Sequence, residues 1–127
     1  MRAYIDSDIL IWYLRGERKA LNFLRGLRDS MEYELWIGAM QRAEIVFFMR
    51  PEEQADTMLF LSQFKTSPVD QHTVDDGGDI YRKWNPSCGM DINDAILAAT
   101  ARHFGGHIFC LNTKHYPLPE IIVKKAW

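Results

Sequence analysis

The chain has few cysteines, little net charge and no long apolar run. Its 127 residues include 2 Cys, and its net charge at neutral pH is −2. The isoelectric point is near 6.1. Tight, non-specific nucleic-acid binding depends on a surplus of positive charge, which this chain lacks. Any contact with RNA or DNA must therefore come from a local site or from a larger complex.

No apolar run reaches the length of about 20 residues that a membrane-spanning helix needs. Acidic residues interrupt the N-terminal stretch where a signal peptide would need its apolar segment. Cys88 and Cys110 lack the spacing of a metal site, and two such thiols suit a reducing compartment. We therefore expect a cytoplasmic protein with no membrane association.

Strand-like and helix-like segments alternate along the chain, and 47% of its residues are hydrophobic. This predicts a single domain over residues 1–127, long enough for a sizeable core. The expected fold class is α/β, with a central, mainly parallel sheet flanked by helices on both faces. Strands are predicted at 2–6, 34–38, 67–70, 107–111 and 120–123, and helices at 7–15, 17–28, 39–50, 51–64, 71–84 and 91–104.

Several local signals set the boundaries of these elements. Ser7 or Asp8 can cap the first helix. Gly77 and Gly78 weaken the fifth helix by about 1 kcal/mol each. The "DDGGD" run at 75–79 is interpreted as solvated helix surface, and "NPSCG" at 85–89 as a loop.

The stretch "YIDSD" places Asp6 and Asp8 directly after the first predicted strand. Two nearby carboxylates repel each other and contribute nothing to a core. In open α/β sheets, ligands bind beyond the carboxyl ends of the strands. Asn112 follows a later strand in the same way, so Asp6 and Asn112 are expected at one edge of the sheet.

Three further acidic residues have both an ordinary and a functional interpretation. Glu44 lies inside an otherwise apolar helix, facing either solvent or a partner that satisfies its charge. Asp91 and Asp94 begin the most apolar helix, where they could stabilise the helix dipole or contribute to a site. If these residues converge with Asp6, their oxygen ligands suit Mg²⁺ or Mn²⁺. These carboxylates are not accompanied by His or Cys ligands, so they suggest Mg²⁺ or Mn²⁺ rather than zinc.

Four segments together resemble the successive motifs of a PIN domain: "YIDSDILIWYLRG", "AEIVF", "INDAILAATARHFGG" and "FCLNTKHY". The nearest resemblance is to the VapC-type toxins of bacterial and archaeal toxin–antitoxin pairs. It covers nearly the whole chain. It implies a Mg²⁺- or Mn²⁺-dependent endoribonuclease with Asp6, Glu44 and Asp94 as catalytic and metal-binding residues.

The chain departs from the family where a further acid usually follows the fourth strand, because Asn112 stands there. A neutral amide holds a metal more weakly than a carboxylate does. The sequence therefore leaves open whether the site binds one metal ion or two. Ser7 and Asp91 could support the site from a second layer. Lys114 and His115 could contact phosphate, or they could be ordinary loop residues.

The resemblance also implies partners: an RNA substrate, a cognate antitoxin that covers the acidic site, and a second copy in a homodimer. Large apolar residues could form a groove for a partner helix or belong to the core. These residues are Trp12, Phe47, Phe48 and Met49.

Two other functions fit parts of the sequence. A PIN-like fold that has lost activity could serve as a binding module, an interpretation that the Asn112 substitution favours. A haloacid-dehalogenase-type phosphatase also places D-x-D after its first strand. The only acid-rich candidate for its later motif precedes "NTKH", which is the wrong order.

Overall fold

A computed structural model describes residues 1–127 as five strands and six helices. Short 3₁₀ turns lie at Pro51–Glu53 and Thr113–His115. The strands are β1 Arg2–Ile5, β2 Glu34–Gly38, β3 Lys65–Ser67, β4 His107–Cys110 and β5 Ile122–Lys125. The helices are α1 Ser7–Leu14, α2 Arg18–Asp29, α3 Ala39–Val46, α4 Gln54–Leu61, α5 Gln71–Cys88 and α6 Ile92–Phe104.

All the strands form one parallel sheet in the order β3-β2-β1-β4-β5. In the register of the central strand, Tyr4 lies between Trp36 of β2 and Ile108 of β4. Successive strands run outward from β1 first in one direction and then in the other. The carboxyl ends of β1 and β4 therefore flank the point where the strand order reverses, which is where open α/β sheets bind ligands.

Two hydrophobic cores cover the two faces of the sheet. Ala3 and Ile5 point from β1 into a core with α1, α2, α3 and α4. Tyr4 points from the same strand into a core with α5 and α6. This alternation buries β1 on both faces, as expected for the middle of a parallel sheet. The predicted sandwich of helices, sheet and helices is confirmed.

Gly77 allows α5 and α6 to pack closely. It is buried, and a Cβ atom there would lie 3.3 Å from Ile96 Cγ1 and 3.4 Å from Ile96 Cα. Gly77 lowers the helix propensity of α5, but its lack of a side chain is what allows Ile96 of α6 to approach. Gly78 differs, because a Cβ there would meet only the mobile end of Arg82.

Two predicted boundaries are wrong for local chemical reasons. Neither Ser7 nor Asp8 is the N-cap of α1; Asp6 is, and its side chain accepts a hydrogen bond from the backbone N–H of Ser7 at 2.7 Å. The loop predicted at 85–89 is the end of α5, which contains Pro86 and ends where Gly89 adopts a φ of +70°. A proline in the last turn interrupts little of the helix, and the glycine terminates it.

Other elements are shifted or shortened relative to the prediction. β3 ends at Ser67 because Asp70 is already the N-cap of α5, accepting from the backbone N–H of Thr73. The predicted helix at 51–64 divides into a 3₁₀ turn and α4. The helix predicted at 39–50 ends at Val46, and the last strand begins at Ile122. No helix is both long enough and apolar enough to cross a membrane.

The contact at Gly77 gives a test of the α5–α6 packing. Gly77→Leu should lower the free energy of unfolding by about 1–3 kcal/mol, because the larger side chain must push α6 away. Gly78→Leu, one residue along the same helix, should be neutral or stabilising by up to about 1 kcal/mol through better helix propensity. Urea unfolding of both variants measures the difference. Equal effects would contradict the packing described here.

Candidate functional site

Asp6 lies at the carboxyl end of β1 and is held there by the neighbouring strand. Its backbone N–H donates to the carbonyl of Phe109 at 3.0 Å. The side chain is buried, and Oδ1 accepts the hydrogen bond from the backbone N–H of Ser7. Sheet pairing and helix capping together fix the carboxylate at the sheet edge.

Asp94, in the first turn of α6, meets Asp6 through the hydroxyl of Tyr116. That hydroxyl lies 2.9 Å from Asp6 Oδ2 and 3.1 Å from Asp94 Oδ1. All three side chains are buried. A hydroxyl has a single proton to donate. A second short contact to a carboxylate is therefore best satisfied when one of the two acids is itself protonated.

Glu44 joins the same group from α3. Its Oε2 accepts from Ser7 Oγ and its Oε1 accepts from Asn93 Nδ2, both at 2.5 Å. Gln41, one turn earlier on α3, donates to the backbone carbonyl of Asn93 at 3.4 Å. These contacts hold α3 against the start of α6. The structure thus brings Asp6, Glu44 and Asp94 together, and Glu44 does not simply face solvent.

Burial is the main reason that the two aspartates are hard to ionise. It raises the pKa of Asp6 to about 8, with further repulsion from Asp8 and Asp94. Burial and the nearby Asp91 raise the pKa of Asp94 to about 6. No ion pair joins a Lys or Arg to Asp6, Glu44 or Asp94; His115, whose Nδ1 approaches Asp94, is the one basic side chain in contact with them. This all-oxygen donor set without a permanent counter-charge fits a hard divalent cation such as Mg²⁺ or Mn²⁺.

Asp8 and Asp91 organise the backbone around the site. Asp8 Oδ2 accepts from the backbone N–H of Leu111 at 3.0 Å, which ties α1 to the segment after β4. Asp91 is the N-cap of α6 and accepts from the backbone N–H of Asp94 at 2.7 Å, while Asp94 Oδ2 accepts in return from the N–H of Asp91 at 3.3 Å. Asp94 therefore has both predicted roles: it takes part in the cap of α6, and it belongs to the cluster of acidic side chains.

The segment after β4 approaches Asp94 through His115. Its Nδ1 lies 3.3 Å from Asp94 Oδ2, and its Nε2 lies 3.0 Å from Asn112 Nδ2. Asn112 Oδ1 accepts from the backbone N–H of Lys114. Asn112 is therefore one side chain removed from the acids, and the exposed Lys114 lies beside it.

Two residues of this network were missed by sequence reasoning. Tyr116 ends the "NTKHY" segment and Asn93 precedes Asp94, but neither was given a place in the site. Both are uncharged, and their roles depend on contacts across 110 and 49 residues of sequence, respectively. The only signal was position, because each lies beside a residue already singled out.

An exposed apolar and acidic cleft opens beside Glu44. Phe47 and Phe48 are 79% and 82% exposed, so they are not core residues, and Trp12 is partly exposed. The cleft has a volume of about 670 Å³. Its walls include Ile11, Leu14, Ile45, Phe48 and Met49, with Glu44, Glu52, Glu53, Asp56 and Arg15 as the charged residues.

The family model for the PIN domain matches residues 3–118. The chain belongs to the PIN-domain family. Relatives of this PIN domain include ribonucleases VapC10 and VapC19 of Mycobacterium tuberculosis. VapC10 is 30% identical over 91% of this chain and 86% of its own length. VapC19 is 30% identical over 90% of this chain and 91% of its own length.

Solved structures share the fold of this PIN domain. A toxin–antitoxin complex from Klebsiella pneumoniae contains a chain with a TM-score of 0.79 and 22% identity, matched over 98% of both chains. VapBC2 from Rickettsia felis, bound to a DNA fragment from its promoter, gives a TM-score of 0.77 at 19% identity, again over 98% of both chains.

The raised pKa of Asp6 predicts a pH-dependent cost to the metal-free PIN domain. Between the ordinary pKa of 3.8 and the folded value of about 8, the folded chain keeps a proton that the unfolded chain releases. The contribution of Asp6 to stability therefore falls as pH rises through this window. Asp6→Asn should be more stable than the parent by about 1–3 kcal/mol at pH 8, and by little at pH 4.

Thermal unfolding in EDTA at pH 4 and pH 8 tests this expectation. Asp29→Asn, an exposed surface change, is the control and should show no such pH-dependent gain. A less stable Asp6→Asn variant at pH 8 would show that Asp6 carries no cost in the folded protein.

Proposed function

We propose that this chain is a metal-dependent endoribonuclease and the toxin component of a toxin–antitoxin pair. The observation that carries the proposal is the convergence of Asp6, Glu44 and Asp94 at the carboxyl edge of the sheet without Lys or Arg counter-charges. The names of the VapC relatives, which are ribonucleases, support RNA as the substrate.

Asp6 and Asp94 would hold Mg²⁺ or Mn²⁺, with Glu44 close by through Ser7 and Asn93. A divalent ion held there would supply hydroxide at neutral pH by lowering the pKa of water, and would offset the negative charge of the phosphodiester. Ser7 and Asn93 hold both oxygens of Glu44 and so fix its orientation. Tyr116 orients the facing oxygens of Asp6 and Asp94 before any ligand arrives.

Substrate would enter past the segment that follows β4. His115 contacts Asp94 and lies at the boundary between the buried acids and solvent. Lys114 is exposed beside it and offers a positive charge for a phosphate of the RNA backbone. This local cation suits a chain whose overall charge does not attract nucleic acid.

Removing one acid should abolish cleavage. Asp94→Asn should lower the rate of RNA cleavage by at least about a hundredfold in limiting Mn²⁺, because a neutral amide replaces a negative ligand. Asp29→Asn, on an exposed helix surface, should cleave at the parent rate. Parent activity should need Mg²⁺ or Mn²⁺ and disappear with EDTA. Cleavage that survives exhaustive chelation would exclude this mechanism.

The same assay separates the alternatives. A catalytically inactive binding module would bind RNA without cutting it under any metal condition, and Asn112 remains the argument for it. A phosphatase would release phosphate from a phosphomonoester and leave RNA intact. Glu44 on α3 contacts both Ser7 and Asn93 beside the two aspartates. These contacts favour the nuclease, because a D-x-D phosphatase site does not require an acidic residue from such a helix.

The cleft beside Glu44 is our proposed seat for the antitoxin. Its apolar wall fits the apolar face of a helix. Of its four carboxylates, Glu52 and Glu53 pair with Arg50, whereas Glu44 and Asp56 have no Lys or Arg partner and favour a binding partner with Lys or Arg residues. A partner seated there would cover Glu44 and so block the acidic site.

Phe48→Ser should weaken binding of the antitoxin by at least about tenfold, because an exposed aromatic side chain is a typical anchor at an interface. Leu59→Ser provides a matched control, since Leu59 is 70% exposed but does not line the cleft. The partner to test is the product of the neighbouring gene, and calorimetry measures its affinity. Equal weakening by both variants would place the partner elsewhere.

Two further statements remain predictions. The homodimer follows from the family resemblance alone, and light scattering of the purified chain would test it. The cytoplasmic location rests on the two thiols, of which Cys110 is buried and Cys88 half-buried. Both thiols are free.

A further inference from the structure

A second group of metal-ligating side chains lies where α5 and α6 pack together. His72 and Asp76 are one turn apart on α5, and His103 lies in the last turn of α6. Their candidate ligand atoms all lie within 4.8 Å of one another. The rings of His72 and His103 have centroids 4.4 Å apart. Sequence reasoning found no such cluster, because 31 residues separate the two histidines.

This group is separate from the acidic site. Asp94 and His103 lie on the same helix nine residues apart, and a rise of about 1.5 Å per residue separates them by about 13 Å along its axis. The close approach of the helices at Gly77 brings His103 within reach of α5. The "DDGGD" run is therefore not uniformly solvated surface: Asp76 is half-buried, while Asp75 and Asp79 are exposed.

Asp76 is held in place by Arg102, whose Nη2 lies 3.2 Å from Asp76 Oδ2. Arg102 also pairs with Glu120, so its charge is shared between two acids. Asp76 Oδ1 takes part in no hydrogen bond in the structure. Asp70 and Asp75 line a depression with His72, which adds negative charge around the cluster. An orienting partner of this kind is common behind metal-ligating carboxylates.

We propose that His72, Asp76 and His103 bind a divalent transition-metal ion, with zinc as the ion the donors suit best. Two neutral imidazoles and a carboxylate are typical ligands of zinc, and a water can complete the tetrahedron. Zinc–ligand distances near 2.1 Å place neighbouring ligand atoms about 3.4 Å apart. The exposed His72 and His103 side chains can close the remaining gap by rotation. The ion would cross-link α5 to α6.

Zinc titration by calorimetry, with excess Mg²⁺ present to compete at the acidic site, tests the proposal. The Asp94→Asn variant should still bind one Zn²⁺ per chain, because its change lies in the other site. His103→Asn and Asp76→Asn should each weaken that binding by at least about tenfold, since even the loss of an orienting partner costs about 10–100-fold. Asp79→Asn is the matched control for Asp76→Asn. Asp79 lies on the same helix as Asp76 and, like it, pairs with an arginine, but it is not part of the cluster.

A second measurement reports which groups hold the metal. Co²⁺ in place of Zn²⁺ should give visible absorption bands typical of a four-coordinate site with nitrogen ligands, and His103→Asn should abolish them. The thermal midpoint of the parent should rise with added Zn²⁺, and that of His103→Asn should not. Parent-like zinc affinity in His103→Asn, or loss of zinc binding in Asp94→Asn, would overturn the proposal.

Discussion

The contact of Tyr116 with Asp6 and Asp94 is the constraint around which the site is built. Two carboxylates in a buried position repel each other and lose the solvation of water. The hydroxyl between them offsets part of that cost, but burial still raises the pKa of Asp6 to about 8. A fold that keeps such a pair must secure it from several directions, and the surrounding elements do so.

Each element contributes one fixed point. Strand pairing with Phe109 fixes the backbone of Asp6, and the reciprocal cap with Asp91 fixes Asp94. The α3 helix contributes Glu44, and its neighbour Gln41 anchors it to α6. Gln41 folds back so closely on Gly38 that a Cβ atom there would lie against its side-chain oxygen. A glycine at the end of β2 is thus part of how Glu44 reaches the site.

The sequence predicted those parts of the site that follow from local position. Asp6 ends a buried strand and Asp94 begins an apolar helix, and parallel topology brings both to one edge. Tyr116 and Asn93 could not be predicted, because a neutral side chain reveals a role only through its partner. The predicted N-cap of α1 was wrong because the side chain of Asp6, a candidate metal ligand, also accepts a hydrogen bond from the backbone N–H of Ser7. The continuation of α5 through Pro86 was not predicted. The helix ends at Gly89, and the residue types alone do not show whether Pro86 or Gly89 ends it.

The contact between Tyr116 and Asp6 spans 110 residues of sequence. Contacts of this separation form late, because a long loop must close before they are gained. Tyr116 follows β4, so it can bridge Asp6 and Asp94 only once β4 has joined β1. A partly folded or truncated chain has the acids but not their arrangement. If the site cuts RNA as proposed, the cell that makes this polypeptide meets no active enzyme before the whole sheet is complete.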